Sequence, residues 1–350
     1  MNLTLSQPLL RGFGPNATYF DLRNSRRARQ DQERSFELSR QRLAIDVASA
    51  FYQVVKQRQL LGVTRQSYER SRKLRDASEG RMKVGLASKL DVLRADLQAA
   101  QAQESMVSFQ SSLDTALESL RVLIGVAPDE PLEPEDVTLP DTADLAIEPL
   151  ELLLKQALER RLELQESRDQ VEDGARAASL ARQNLLPQLD LSVGVAQTGF
   201  GPTISSALSA LGGADRRVTV SVSTSYPLER SADKTNAAIA ELDLASRKRA
   251  LRQREFEIEA DVRGAVRNLE RIQKSVELQR KGVAFAEQQQ RLATLRYQRG
   301  LASNFDVVDA EGSLVAARTA LVGLLTDYQV ARFQLLKSTG TLDVTKEFLP

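Results

Sequence analysis

The pattern of apolar and polar positions along the chain predicts long helices that reverse at very short turns. From about Tyr19 to Val84 the chain has no proline, and apolar positions recur at helical spacing. As one helix this stretch would extend about 100 Å, which few globular cores can bury. Further helices are predicted over about Leu90–Leu123, Glu148–Leu185, Asp233–Arg299 and Asn304–Lys337. The chain is therefore expected to be mainly helical.

Three short segments alternate apolar and polar residues, as strands with one apolar face do. The first is Met1–Leu10; the second runs through Leu189, Leu191, Val193 and Val195, and the third through Val218, Val220 and Val222, with the loop Gly199–Arg216 between them. Such strands fit either a half-buried sheet or the wall of a transmembrane barrel. Three or four of them cannot close a barrel within one chain, so the second arrangement would require oligomerisation.

Two stretches of the chain are near copies of each other, Gly85–Val92 and Gly300–Val307. When the two halves of the sequence are aligned outward from these stretches, Asp46 aligns with Asp261 and Gly125 with Gly340 without a gap. The chain is therefore predicted to be a duplicated helical hairpin. We expect a first repeat over residues 1–125, an irregular connector with Pro128, Pro131 and Pro134 over residues 126–147, and a second repeat over residues 148–345.

Each return helix carries a narrow apolar seam with spacings of three and four residues. The seam of the first runs through Leu86, Leu90, Leu93, Leu97 and Ala100, and that of the second through Leu301, Phe305, Val308, Gly312 and Val315. This spacing is typical of left-handed coiled coils, although an amphipathic helix on an ordinary core would show it too.

Composition narrows the possible functions. The 48 basic and 47 acidic residues give a formal charge of +1, so no overall attraction to nucleic acid is expected. Histidine and cysteine are both absent, which removes disulfides, thiolate chemistry and histidine-based catalysis. We therefore expect no enzyme, no metal site and no cofactor. The N-terminus has no basic start followed by an apolar core, so either the protein is cytoplasmic or the numbering begins after a signal.

Three motifs carry a resemblance to a known family. They are Leu5-Ser6-Gln7-Pro8-Leu9, the junction Leu186-Pro187-Gln188-Leu189-Asp190-Leu191, and the second tip from Tyr297 to Ala310. In these the chain resembles the TolC-like outer-membrane efflux family over Met1–Leu342. The resemblance implies a homotrimer whose subunits give strands to a shared transmembrane β-barrel and duplicated hairpins to a periplasmic α-barrel tunnel. It also implies a passive exit duct for efflux pumps or type I secretion, with a periplasmic adaptor, an inner-membrane pump and outer-membrane lipid as partners.

The resemblance also assigns roles to residues at the tips. Asp306 and Asp309 match acidic positions that ring the tunnel constriction, and Tyr297 and Asp91 match positions that hold the two hairpins together at the gate. The basic member of that gate is missing, since Ala302 stands at its position. Contacts with the adaptor are expected at the two tips, at Val84, Gly85, Leu86, Arg299, Gly300 and Leu301.

The resemblance further implies one more strand and a helix before Met1, so we expect an N-terminally truncated chain. Two other interpretations remain at this point. A periplasmic adaptor also has a long hairpin, but it should have one hairpin between lipoyl-like halves. A cytoplasmic coiled-coil scaffold would fit a chain without a signal, but it leaves the strands unexplained.

Overall fold

The computed structural model describes residues 2–127, 130–131, 139, 147–197, 205–206 and 216–344. Within these residues the elements run in the order β1 (Asn2–Pro8), α1 (Pro15–Thr18), α2 (Phe20–Lys83), α3 (Lys89–Ile124), α4 (Leu150–Arg160), α5 (Leu162–Gln183), β2 (Gln188–Gln197), β3 (Arg216–Ser225), α6 (Ser231–Gln298) and α7 (Asn304–Ser338). The predicted connector 126–147 and the predicted loop Gly199–Arg216 lie largely outside the described residues. The prediction of a mainly α fold with a small β part is confirmed.

The helix predicted over Glu148–Leu185 is wrong in one respect, because the structure divides it into α4 and α5. Arg161 leaves the helical region, with φ −63° and ψ 122°. Gly340, at the end of α7, lies against this point: a Cβ on Gly340 would be 3.2 Å from backbone atoms of Arg160 and Arg161. The break therefore coincides with a close tertiary approach, which the local sequence does not reveal.

The chain folds as two compact units, which are described separately. One comprises Met1–Phe36 and Leu162–Glu257, and the other comprises Glu37–Arg161 and Ile258–Pro350.

The first unit contains an antiparallel sheet in the order β1-β2-β3. Its register places Leu5 opposite Val193 and Val193 opposite Val220. Residues directly opposite each other point to the same face, so the apolar side chains of all three strands share one face. Leu5 and Val220 are exposed at 73% and 65%, so no described part of the chain covers this apolar face. In the same unit, Arg34 on α2 is bonded to Asp169 on α5 at 2.6 Å.

Among the described residues, apolar cores join the long helices of the second unit at three places. One joins α2 to α3 through Val54, Leu113, Ala116 and Leu120. Another joins α6 to α7 through Leu269, Ile272, Val276, Tyr328 and Ala331. The third joins α2 to the end of α7 through Ile45, Ala48, Phe333 and Leu342. Each hairpin therefore packs on itself, and the two hairpins also pack on each other.

The predicted leucine seam of α3 does not supply its buried face. The buried positions near the tip are the smaller residues Val92, Ala95, Ala99 and Ala102. Leu86, Leu90, Leu93 and Leu97 are each more than half exposed. Small residues allow neighbouring helices to approach closely, and they leave the leucines on the outer face. Among the described residues, no helix combines the length and apolar character that a membrane-spanning helix requires.

Candidate functional site at the helical tips

Both tips close their helices in the same way. Gly85 and Gly300 adopt positive φ values of 75° and 76°. At each tip the glycine N–H and the next leucine N–H donate to carbonyls of the last helical turn, at 3.0 and 2.8 Å. This double hydrogen bond is a Schellman motif, which needs a left-handed residue after the helix and so favours glycine. The duplicated sequence therefore builds two matching ends.

Both return helices also begin in the same way. Ser88 and Ser303 are N-caps, and each forms a capping box with the aspartate three residues later. The N–H and hydroxyl of Ser303 donate to Asp306 Oδ2 at 2.7 and 2.8 Å. These bonds favour the charged carboxylate and lower the pKa of Asp306. The bond from the Ser303 N–H has the larger effect, and the bond from the Ser303 hydroxyl has the smaller one. Asp306 therefore stabilises the start of α7.

The proposed constriction and contact residues are accessible in the protomer. Asp306 and Asp309 are both exposed and lie one helical turn apart on the same face of α7. At the tips, Val84, Leu86 and Leu301 are exposed apolar side chains.

A buried polar cluster joins the two hairpins directly above the tips. The Tyr297 hydroxyl and Ser78 Oγ are 2.9 Å apart, and the Asn304 side-chain amide donates to Ser78 Oγ at 2.9 Å. The same amide donates to the backbone carbonyl of Asp91 at 2.9 Å. The Asp91 carboxylate instead accepts bonds from Ser88 in the capping box. The structure therefore brings Tyr297 and Asp91 into one cluster, with Ser78 and Asn304 as the intermediaries.

Arg81 covers the Tyr297 side of this cluster. Its guanidinium carbon lies 4.3 Å from the centre of the Tyr297 ring, and its Nη2 donates to the Gln298 carbonyl at 2.8 Å. A cation over an aromatic ring adds an attraction that is independent of the hydroxyl. Arg81 therefore ties the end of α2 to the end of α6.

Further from the tips, an ion pair joins α2 to α7. Arg70 Nε donates to Glu311 Oε1 and Oε2 at 3.0 and 2.8 Å, and Arg70 Nη2 donates to Oε1 at 2.8 Å. The Glu311 side chain is only 5% exposed, whereas that of Arg70 is 28% exposed. Hydrogen bonds from two guanidinium nitrogens to a buried carboxylate fix the orientation of the two side chains as well as their distance. About two helical turns past Glu311 on α7, Arg318 Nη1 donates to Gln66 Oε1 on α2 at 3.0 Å.

A cavity of about 590 Å³ lies beside this ion pair and the polar cluster. Its walls include both members of the pair, Tyr297 and the apolar residues Leu74 and Val307. Among the described residues, no group of three or more acidic side chains is arranged to hold a metal ion.

Several residues that connect the hairpins were not predicted from the sequence, among them Ser78, Asn304, Arg70 and Glu311. Glu311 could have been found, because it lies between Val307 and Leu314 on a helical stripe that is otherwise apolar. A charge on such a stripe predicts a buried partner. Ser78 and Asn304 carry no comparable signal.

These features define a class of architecture: a duplicated helical-hairpin protein with a small antiparallel sheet and two matching tips. The chain belongs to the Outer membrane efflux protein family, whose family model matches residues 1–126 and 153–341. The resemblance in the three motifs is thereby confirmed. Membership in this family argues against the two other interpretations of the sequence, a periplasmic adaptor and a cytoplasmic coiled-coil scaffold.

Individual relatives agree with this assignment. The outer membrane protein TolC of Escherichia coli (strain K12) is 24% identical over 330 residues, which cover 89% of this chain and 64% of TolC. The toluene efflux pump outer membrane protein TtgC of Pseudomonas putida is 25% identical, covering 85% of this chain and 60% of TtgC. The chain thus spans just under two thirds of these relatives' length.

A solved structure agrees with the fold. The outer membrane protein VceC from Vibrio cholerae matches with a TM-score of 0.78 at 20% identity, covering 97% of this chain and 79% of that chain.

Proposed function

We propose that the protein is an outer-membrane channel subunit and a passive exit duct of a tripartite efflux pump or a type I secretion system. Family membership across nearly the whole chain is the observation that carries this proposal. In this arrangement three copies assemble, a periplasmic adaptor meets the tips, and an inner-membrane pump supplies the energy. The sequence has no G-x-x-x-x-G-K-[ST] phosphate loop, which agrees with a passive role.

The sheet and the hairpins would take separate places in this duct. Strands β2 and β3 have 10 residues each, close to the length of about 9–11 residues that crosses a bilayer. The exposed apolar face of the sheet would lie against outer-membrane lipid. The two repeats, residues 1–125 and 148–345, would each supply one hairpin to the periplasmic tunnel.

The tip residues would form the periplasmic entrance. Three copies of Asp306 and Asp309 would place six carboxylates around one axis, which favours cations. Tyr297 and Asp91 would hold the gate through the Ser78 and Asn304 cluster, and the exposed apolar side chains of the tips would contact the adaptor. Since Asp306 also caps α7, Asp309 is the better residue for testing the ring.

Deleting the gene and following a fluorescent efflux substrate tests the proposal. Cells without the gene should accumulate the substrate, and the intact gene on a plasmid should restore export. The protein should sediment with outer-membrane markers. Unchanged accumulation together with a cytosolic protein would overturn the proposal.

A further inference from the structure

The cavity of about 590 Å³ beside the Arg70 and Glu311 pair has walls mainly from α2, α6 and α7. Cavities of about 300–1,000 Å³ are the size that holds a small organic molecule. The lining on α2 runs from Arg70 to Arg81, which at 1.5 Å per residue is about 17 Å. The cavity is therefore long enough to take an extended molecule.

Apolar side chains from all three helices line the cavity. They are Leu74 and Ala77 on α2, Leu295 on α6, and Val307 and Val308 on α7. Leu295 is 51% exposed, and Ala77 is exposed as well, so part of this wall is open to solvent. Covering exposed apolar surface is favourable in proportion to its area. A molecule that fits this wall should therefore have an apolar body.

One buried hydroxyl in the wall has no partner. Ser71 is 2% exposed, and its Oγ forms no hydrogen bond with any described residue. A serine or threonine in a helix can bond a carbonyl of the preceding turn, as Thr64 does with Leu60. A buried hydroxyl without a partner is unfavourable, and a polar atom of a bound molecule would satisfy it. Ser71 therefore indicates where the polar group of such a molecule would lie.

The charges of the wall favour an anion. The side chains of Lys73 and Arg291 line the cavity, and neither forms an ion pair or a hydrogen bond with a described residue. Among the described residues that line the cavity, only Glu311 is acidic, and Arg70 neutralises it. Unpaired cations in a cleft attract anions.

Lys73 and Arg291 also lie at the same level of the hairpins. α2 and α6 both run towards the tips, and the Ser78 and Tyr297 side chains meet at 2.9 Å. Counted back from this contact, Lys73 is about 8 Å up α2 and Arg291 is about 9 Å up α6. The two cations can therefore contact one anionic group, and Ala77 follows on the side of the tips.

We propose that this cavity binds an amphipathic anion, a molecule with an apolar body and one carboxylate, sulfate or sulfonate group. The anionic group lies between Lys73 and Arg291 and accepts a hydrogen bond from Ser71, and the apolar body lies along Leu74 and Leu295. Because α2 belongs to the first hairpin and α6 and α7 to the second, the bound molecule favours the arrangement in which the hairpins are joined. This binding site goes beyond the proposed duct and does not depend on it.

Protection of an introduced cysteine tests the site, because the chain has no cysteine of its own. The full protein carrying Ala77→Cys would be extracted from the outer membrane in dodecyl maltoside and alkylated with a maleimide. Decyl sulfate, at a concentration that leaves the helical circular dichroism signal unchanged, should slow alkylation about fivefold. Decyl maltoside and decyltrimethylammonium have the same chain without an anionic group and should slow it less than about twofold.

Two kinds of control separate this site from general effects of the probe. Ala284→Cys is exposed on α6 and does not line the cavity, so its alkylation rate should stay the same with every probe. Lys73→Gln with Arg291→Gln should raise the decyl sulfate concentration for half-maximal protection about tenfold. Arg72→Gln with Arg267→Gln removes the same charge at exposed positions outside the cavity and should change that concentration less than about twofold.

Three results would overturn the proposal. The first is absent protection, or equal protection by all three amphiphiles, because an anionic group would then not be required. The second is unchanged protection in the Lys73→Gln, Arg291→Gln variant. The third is an Ala77→Cys variant that does not react even without a probe, because another chain would then cover the cavity. Each of these results would leave the proposed channel function standing.

Discussion

The ion pair of Arg70 and Glu311 joins the two hairpins. Replacing Arg70 and replacing Glu311 should lower the free energy of unfolding by different amounts. The change is Arg70→Met, Glu311→Leu, and the two together. These replacements keep side chains of similar length beside the cavity. The Glu311 side chain is 5% exposed and that of Arg70 is 28% exposed. Replacing Arg70 should therefore destabilise the fold more, because it leaves the more buried charge without its partner.

The magnitudes follow from what each single variant leaves behind. Arg70→Met leaves a buried carboxylate without its cation, which should cost about 3–5 kcal/mol of unfolding free energy. Glu311→Leu leaves an arginine that can turn towards solvent, so the loss should be about 1–2 kcal/mol. In the double variant neither charge of the pair remains, and stability should lie within about 1 kcal/mol of the native protein.

Urea unfolding, followed by the helical circular dichroism signal, measures the free energy of unfolding of the two single variants and the double variant. The exposed pair Glu277 and Lys281 provides a control, since Glu277→Gln should leave the midpoint unchanged. The reasoning would be refuted if both single variants lost the same stability. It would also fail if the double variant lost the sum of the single losses, because the pair would then not act as a unit.

Three further predictions concern the tips. Gly85→Ala should lose about 1–2 kcal/mol because its φ of +75° is strained for alanine; Gly80→Ala, in the helix with open space around it, should gain about 0.5–1 kcal/mol in the same urea assay. Tyr297→Phe should lose about 0.5–1.5 kcal/mol by removing the bond to Ser78, and a loss as large in a Ser78→Ala background would contradict the bond. Asp306→Asn should lower the melting temperature at pH 7, because the bonds from Ser303 depress the pKa of the carboxylate below its usual 3.8. That contribution is present above the unfolded-state pKa and is lost as the pH falls through the folded-state pKa, so the melting curves should converge below about pH 3.8. A constant gap across that range would contradict the assignment.

The helices and tips could be predicted because their signals are local. The glycine and serine pairs Gly85 with Ser88 and Gly300 with Ser303 determine where each helix ends and the next begins. The strands could be predicted for the same reason, since alternation alone places their apolar residues on one face.

The remaining features depend on contacts between distant parts of the chain. The break at Arg161 has no proline or glycine to mark it and coincides with the approach of Gly340. On α3 the sequence predicted a leucine seam, but the structure buries the smaller residues from Val92 to Ala102, because spacing alone does not say which face of a helix packs inside the chain. The cluster of Ser78 and Asn304 is visible only once α2, α3 and α7 are side by side.

Single-channel recording from the protein purified from the outer membrane and reconstituted in a planar bilayer tests the central claim most directly. A trimeric duct with a carboxylate ring should give discrete conductance steps and a reversal potential that favours cations. Asp309→Asn should reduce this preference while leaving the α7 capping box intact, because Asp306 and not Asp309 forms it. A bilayer that stays silent at protein densities where trimers are present would contradict the claim that this protein is an outer-membrane channel.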